Sequence, residues 1–492
     1  MTLATSLAAT LDPASLAAHA TRGHWQRAPH LDLLNQRLLD LHAGQITRLL
    51  VTMPPRHGKS ELCSATYPAW WLGTRPDDRI ILASYEADFA ATWGRRARDL
   101  LNEHGQALFG VQLRPDSQAA RSFQLAEHRG SMTSAGAGGA ITGRGADLFI
   151  IDDPHRGWED ANSATQRAKV WDWYRSVART RLEPGGRILI ITTRWHDDDL
   201  AGRLLTDASE GGDSWHHLRL PALAEAEGED PLDREPGEPL WPQRFTTDDL
   251  EATRQTLGSQ LFAGLYQQAP RPADGNIINP AWLRTHYPTE GGWQVERADG
   301  TAETIPASRA RRIATVDLAI STTSRADYTV GIVGAITRDA RIIITHAEKA
   351  RLTADEQLDL IRRLHADHHA AWVGIEATAY QASLVQRAAD QGLPVRPLHA
   401  DRDKVTRAMT LAARAEAGKV HLPANAAWRD DLEDELAAFP NGAHDDQVDA
   451  LAYLATQADE HARTLATVRP VSIKRPADER MPTGPRAATW PD

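Results

Sequence analysis

The sequence predicts an α/β protein in two units, the first built on a mainly parallel sheet and the second on a mixed one. Three observations predict this. Over the first 270 residues apolar runs alternate with amphipathic stretches, a β-α-β-α order that favours parallel strands with helices on both faces. From about residue 311 three apolar runs follow one another across short turns, the pattern of an antiparallel meander, before strands and helices alternate again. At 492 residues the chain is also longer than a single core sustains.

Composition narrows the class. Apolar residues make up 41% and charged residues 25%, ordinary values for a globular protein. A net charge of −11 argues against a constitutive nucleic-acid coat protein but leaves room for a local basic groove. The one cysteine, Cys63, excludes an intramolecular disulfide and a cysteine-based zinc site, and favours a reducing compartment. It is expected as a small buried side chain. No apolar run approaches the ~20 residues of a membrane span, and the Ala-rich N-terminus has no basic region of a signal peptide. No membrane association is expected.

Taken in order, residues 1–22 read as helical or frayed. Trp25-Gln26-Arg27-Ala28-Pro29-His30 then leads into an amphipathic helix at 31–41. Gln26 and its aromatic neighbour are placed to recognise an adenine, or equally to staple the helix entry. A strand at 46–52 runs into Met53-Pro54-Pro55-Arg56-His57-Gly58-Lys59-Ser60, with a helix at 60–72. This is a phosphate-binding loop: backbone N–H groups at a helix N-terminus cradle the phosphates, Lys59 reaches the β/γ-phosphates, and the Ser60 hydroxyl holds Mg²⁺. Met53 stands where the pattern has its first glycine. A strand at 79–84 and a helix at 86–103 follow. The decisive partner is the strand Ala146-Asp147-Leu148-Phe149-Ile150-Ile151, which ends in Asp152-Asp153. At the C-terminal edge of a parallel sheet it faces the same crevice, with Asp152 toward Mg²⁺ and Asp153 orienting the attacking water. The glycine loop at 136–145 carries Arg144, a candidate arginine finger in cis or to a neighbouring subunit, and Arg56 is its rival. The stretch 187–196 reads as a strand whose small hydroxyl residues, Thr192-Thr193, lie beside the nucleotide site, where such ATPases sense hydrolysis. Asp197, Asp198 and Asp199 read as the acidic first turn of a helix at 200–205 rather than as metal ligands. Residues 267–275 read as the linker that closes the unit.

In the second unit Asp317 ends one strand and Glu376 another, while Asp445, Asp446 and Asp449 are placed on one helix, Asp445 and Asp449 sharing a face. Acids without cysteine or paired histidine suit hard divalent ions, Mg²⁺ or Mn²⁺. Two such ions about 4 Å apart support in-line phosphodiester hydrolysis. After a three-strand meander this set gives the arrangement of ribonuclease-H-like nucleases. The expected domains are a P-loop ATPase at 1–269, a linker at 270–310, a ribonuclease-H-like nuclease at 311–460, and a mobile tail at 461–492.

The ordered pair Ile151-Asp152-Asp153-Pro154 and His444-Asp445-Asp446-Gln447-Val448-Asp449, behind Pro-Pro-Arg-His-Gly-Lys-Ser, resembles the large terminase subunit of tailed bacteriophages from about Trp25 to Leu454. The resemblance implies an ATPase that drives double-stranded DNA into a procapsid and a nuclease that cuts concatemers. It implies Lys59, Ser60, Asp152 and Asp153 as ATPase residues, Thr192–Thr193 as the coupling motif, and Asp317, Glu376 and Asp445 or Asp446 as metal ligands. It further implies a small terminase subunit and a portal ring as partners, assembly of several copies on the portal, and work in the host cytoplasm. Asp153 departs from the glutamate that many such motors carry. The competing class, a helicase or repair translocase with an appended nuclease, requires a second motor lobe, and the segment after Arg194 runs instead into a linker.

Overall fold

A computed structural model describes residues 7–139, 141, 143–226, 228–270, 277–297, 299–319, 328–376, 381–398, 404–442 and 444–467. The first sheet has eight strands: β1 (Arg48–Thr52), β2 (Arg79–Ser84), β3 (Leu113–Ala119), β4 (Ser122–Leu125), β5 (Ser131–Gly136), β6 (Ala146–Asp152), β7 (Leu182–Thr192) and β8 (His216–Arg219). Their spatial order is β3-β4-β5-β2-β6-β7-β1-β8, parallel except for the β3 and β4 pairings at one edge. The central strands read as continuous apolar runs because helices cover both faces: Leu49, Leu50 and Val51 of β1 and Leu148 to Ile151 of β6 are fully buried. Each such side chain contributes about 1.5–3 kcal/mol relative to exposure. Cys63 is fully buried as well.

The helix after the phosphate loop opens with a π-turn, Glu61–Thr66, before the α-helix Tyr67–Thr74. The wide turn is where the chain departs from the continuous helix expected over 60–72. Helix Ala87–Phe109 runs six residues past its expected end and stops at Gly110. β3, β4 and β5 were not expected from the sequence.

The second sheet has nine strands: β9 (Arg284–Thr289), β10 (Gly292–Glu296), β11 (Ala302–Pro306), β12 (Ala310–Asp317), β13 (Thr329–Thr337), β14 (Ile342–Ala350), β15 (Val373–Glu376), β16 (Val395–Leu398) and β17 (Val420–Pro423). The order is β11-β10-β9-β17-β14-β13-β12-β15-β16, with the β12–β13–β14 meander antiparallel and β15 and β16 added in parallel beside β12. The sheet is mixed, as expected, and is not a second motor lobe. The stretch 284–306, read from the sequence as part of a linker, supplies β9, β10 and β11. Helix Asp446–Thr467 lies across β12 and β13, and Thr315 Oγ1 donates to Ala450 O at 2.7 Å. The expected tail at 461–492 is helical as far as Thr467, and its remainder lies outside the described residues.

The two units meet through helix Thr247–Leu265, which is kinked at Gly258 and packs against helix Lys404–Glu416. Ser259 N donates to Glu416 Oε2 at 2.9 Å.

Candidate active sites

Between β6 and β1 lies β7, so the ends of these three neighbours place Asp152–Asp153, Thr192–Thr193 and the phosphate loop side by side. Gly58 has a φ of +92°, and a Cβ on it would sit 3.1 Å from Leu31 Cδ2, so both conformation and space require glycine. The loop backbone is pinned from outside. His30 Nε2 lies 3.0 Å from His57 O, and the His57 ring stacks on Phe245 at 4.7 Å. Burial holds both imidazoles down to about 4, hence neutral.

Lys59, 6% exposed, donates to Thr193 Oγ1 at 2.8 Å and pairs with Asp153 Oδ2 at 3.1 Å. The other Asp153 oxygen accepts from Thr193 N at 2.9 Å. Asp153 reaches this position from an unusual backbone, φ +44°, secured by its N–H to Ile191 O and its C=O to Tyr85 N–H. Asp152 is fully buried and accepts from Ser60 Oγ at 3.0 Å and from Ser64 Oγ at 2.8 Å. Burial, with the charge of Asp153 adding to it, pushes its carboxyl up to about 7, against the pull of Lys59 and the two serines. The structure thus brings Lys59, Ser60, Asp152, Asp153 and Thr193 into one network.

Other expected residues are placed differently. Arg56 stands exposed on the loop at φ +64°. The Arg144 guanidinium donates to Thr133 Oγ1 at 2.5 Å and Ser122 Oγ at 3.3 Å, over β4 and β5 and away from Lys59 of its own chain. Gln26 is exposed beside Trp25, whose ring lies 3.7 Å from a Cβ built on Gly58. Asp199 caps helix Leu200–Ser209 through Gly202 N and pairs with Arg194, and Asp198 pairs with Arg167 and Arg203, in keeping with the helix-start reading.

In the second sheet Asp317 and Glu376 end the adjacent parallel strands β12 and β15, whose register pairs Val316 with Ile375. Asp445 precedes the helix that was expected to contain it, and Asp449 N donates to Asp445 O at 3.0 Å, so the two still share a face. Burial, then the charges of Asp449, Asp446 and Glu376, push the Asp317 carboxyl up to about 8, against Lys404. Asp449 is therefore the largest neighbouring charge on Asp317, where the sequence reading gave it a secondary place. Asp446 Oδ2 accepts from Tyr328 N at 3.2 Å.

Two cations sit among these acids. Lys404 Nζ pairs with Asp445 Oδ1 and Asp449 Oδ2, each at 2.5 Å, and Arg407 reaches Asp449 Oδ1 at 3.1 Å. Among the described residues no three His, Cys, Asp or Glu side chains close on one point as a metal shell. The donor set nonetheless fits hard divalent ions: it is all oxygen, mutually repulsive, and already neutralised by an ammonium standing in for a cation. Sequence reading missed Lys404 and Arg407, which carry no motif, and also Ser64, whose spacing of four from Ser60 was a readable signal.

Residues 50–285 match the family model described as terminase large subunit, T4likevirus-type, N-terminal, and residues 314–457 match the terminase RNaseH-like domain. No curated protein matches the chain. Among solved structures, a large terminase from a thermophilic bacteriophage is 11% identical with a TM-score of 0.51, covering 85% of this chain and 98% of that one. The HK97 bacteriophage large terminase is 13% identical over 85% of this chain and 93% of its own, with a TM-score of 0.34. The magnesium-bound large terminase nuclease of the thermophilic phage G20c is 21% identical over 38% of this chain and 99% of its own, with a TM-score of 0.27. Two domain models of one family, matched in order across most of the sequence, establish that the chain belongs to the terminase large subunits.

Proposed function

We propose that this large terminase subunit hydrolyses ATP at the phosphate loop to drive double-stranded viral DNA into a procapsid, and cuts concatemeric DNA at the acid set of the second sheet. The observation that carries the reading is the network joining Lys59, Asp153 and Thr193: one lysine bridges the phosphate loop, the acidic strand end and the hydroxyl strand end, so a change at the γ-phosphate is felt at β7. Lys59 binds the β/γ-phosphates, Ser60 and Asp152 hold Mg²⁺, Asp153 orients the attacking water, and Gln26 lies toward the base. Arg56 in cis, or Arg144 reaching a neighbouring copy, serves as the arginine finger. The outward placement of Arg144 supports the second arrangement and with it a ring of subunits on the portal.

In the nuclease Asp317, Glu376, Asp446 and Asp449, with Asp445, bind two Mg²⁺ or Mn²⁺ ions. Bound there, the ions supply an activated water and stabilise the leaving oxygen. The chain's own residues fix the geometry: the sheet sets Asp317 and Glu376, while Tyr328 N and Arg407 orient Asp446 and Asp449. The solved relatives include large terminases in complex with ADP and with ATP-gamma-S, and terminase nucleases with bound magnesium or cobalt. A small terminase subunit and the portal ring are the proposed partners, in the host cytoplasm. No described helix is long and apolar enough to cross a membrane. The test is DNA packaging with purified procapsids, read as DNase-protected DNA. Protection that requires ATP supports the reading, and ATP-independent or absent protection overturns it.

A further inference from the structure

Resting on the nuclease reading above, we infer that Lys404 is a displaceable internal counter-ion, whose ammonium occupies the ground between Asp445 and Asp449 that a divalent ion takes on loading. The geometry separates the two cations of the site. Arg407 is 8% exposed, stacked 4.6 Å over the Tyr453 ring and hydrogen-bonded to Asp449 Oδ1, so it is part of the fixed wall. Lys404 is the first described residue of its helix, its side chain is 34% exposed, and its four-carbon stem can swing into solvent. Its two contacts, at 2.5 Å each, use one oxygen of Asp445 and one of Asp449. An oxygen held that closely by an ammonium cannot also ligate a metal without setting two cations side by side.

The arrangement has a purpose that the acids alone would lack. Lys404 pairs with Asp445 and Asp449, Arg407 with Asp449, and the charges of Asp449, Asp446 and Glu376 bear on Asp317. Without Lys404 the empty site would repel itself. With it, the acids stay assembled, and a divalent ion enters only by outcompeting the ammonium. Loading thereby becomes a threshold in metal concentration instead of simple filling of an open shell.

The experiment uses the full chain, without nucleotide, and Mn²⁺ as the probe, followed by isothermal titration calorimetry and by the free-Mn²⁺ electron paramagnetic resonance signal. Lys404→Gln is expected to lower the half-saturating Mn²⁺ concentration about tenfold while lowering the melting temperature in EDTA, with Mn²⁺ restoring it. Lys404→Arg, which keeps the charge, should stay near wild type in both. An unchanged far-ultraviolet circular dichroism spectrum reports that each variant is folded. Unchanged or weaker Mn²⁺ binding in Lys404→Gln, with binding still abolished by Asp317→Asn, overturns the counter-ion role alone. Mn²⁺ binding indifferent to Asp317→Asn overturns the metal site and this inference together.

Discussion

Both sites set a lysine against paired carboxylates, but they are assembled from different distances along the chain. Lys59 and Ser60 are adjacent in sequence, Asp152 and Asp153 are adjacent, and both pairs sit at strand ends within one parallel sheet. Lys404 meets Asp445 and Asp449 from a separate helix, and Asp317 and Glu376 come from two further strands. In the first site the lysine spans two elements, from Asp153 to Thr193, and every carboxylate oxygen of Asp152 and Asp153 has a donor. In the second, the charges of Asp449, Asp446 and Glu376 hold the Asp317 carboxyl up, and Asp445 and Asp449 share one partly exposed ammonium. The difference teaches that the first site is closed by hydrogen bonds among its own residues, whereas the second is held by one lysine shared between two acids.

The sharpest way to break this comparison is to remove one lysine or acid at a time and read both activities. Lys59→Ala is expected to cut ATP hydrolysis by about 10²–10³-fold or more, by loss of a transition-state contact, and to leave metal-dependent plasmid nicking intact. Hydrolysis at the wild-type rate would remove the phosphate-loop assignment. Asp317→Ala should abolish nicking in Mg²⁺ and Mn²⁺ while ATPase turnover survives. Residual cutting would sink the two-metal arrangement.

A smaller effect tests the closed network. Ser64→Ala removes one of the two serine donors to a buried carboxylate, a loss of about 1–3 kcal/mol, and should weaken Mg²⁺-ATP binding more than it slows turnover. A measured Kd equal to wild type would show that Ser60 alone orients Asp152. The smallest effect is on pH. Asp152 at about 7 and Asp317 at about 8 hold protons that the unfolded chain releases near pH 4, so in EDTA each costs stability as pH rises from that value through its folded one. Asp152→Asn and Asp317→Asn should therefore melt progressively higher than wild type across that range, by a few degrees. The Asp317 variant should keep gaining to about pH 8. Parallel melting curves for wild type and variant would refute the buried, protonated carboxyls.

What the sequence could reveal follows the same division. The strand at 79–84 was read to its ends because an unbroken apolar run lies between Arg79 and Ser84, and the strand at 146–152 because its run lies between Asp147 and Asp152. β3, with the sequence Leu-Arg-Pro-Asp-Ser-Gln-Ala, offers no apolar run; it is a largely exposed edge strand paired to β4 and anchored by Leu113 and by Arg98 to Gln118 O. β9 to β11 were hidden likewise, as polar segments that become strands when Trp293, Val295 and Ile305 find Ala335 and Ile343. The acids of both sites were legible because they end apolar strands or stand at helical spacing. Lys404 was not, since a lone lysine in a polar stretch acquires meaning only from residues 41 and 45 positions later, and such contacts leave no periodicity.

Gly258 carries a consequence for how the two halves are joined. Its φ of +79° breaks helix Thr247–Leu265 where Ala413 would press on any side chain, 3.2 Å from an added Cβ. At the other end, Gly264 abuts Arg194 O, and Gln268 Oε1 accepts from Arg194 N at 3.2 Å, one residue beyond Thr193. The helix is thus a jointed rod: one end rests on the loop that follows the hydrolysis sensor, and the joint rests on the helix bearing Lys404 and Arg407. The kink lets one helix lay its two arms against both units, so the joint between the two sheets is made at a glycine. A methyl group at position 258 would stiffen that joint and act as a wedge between them.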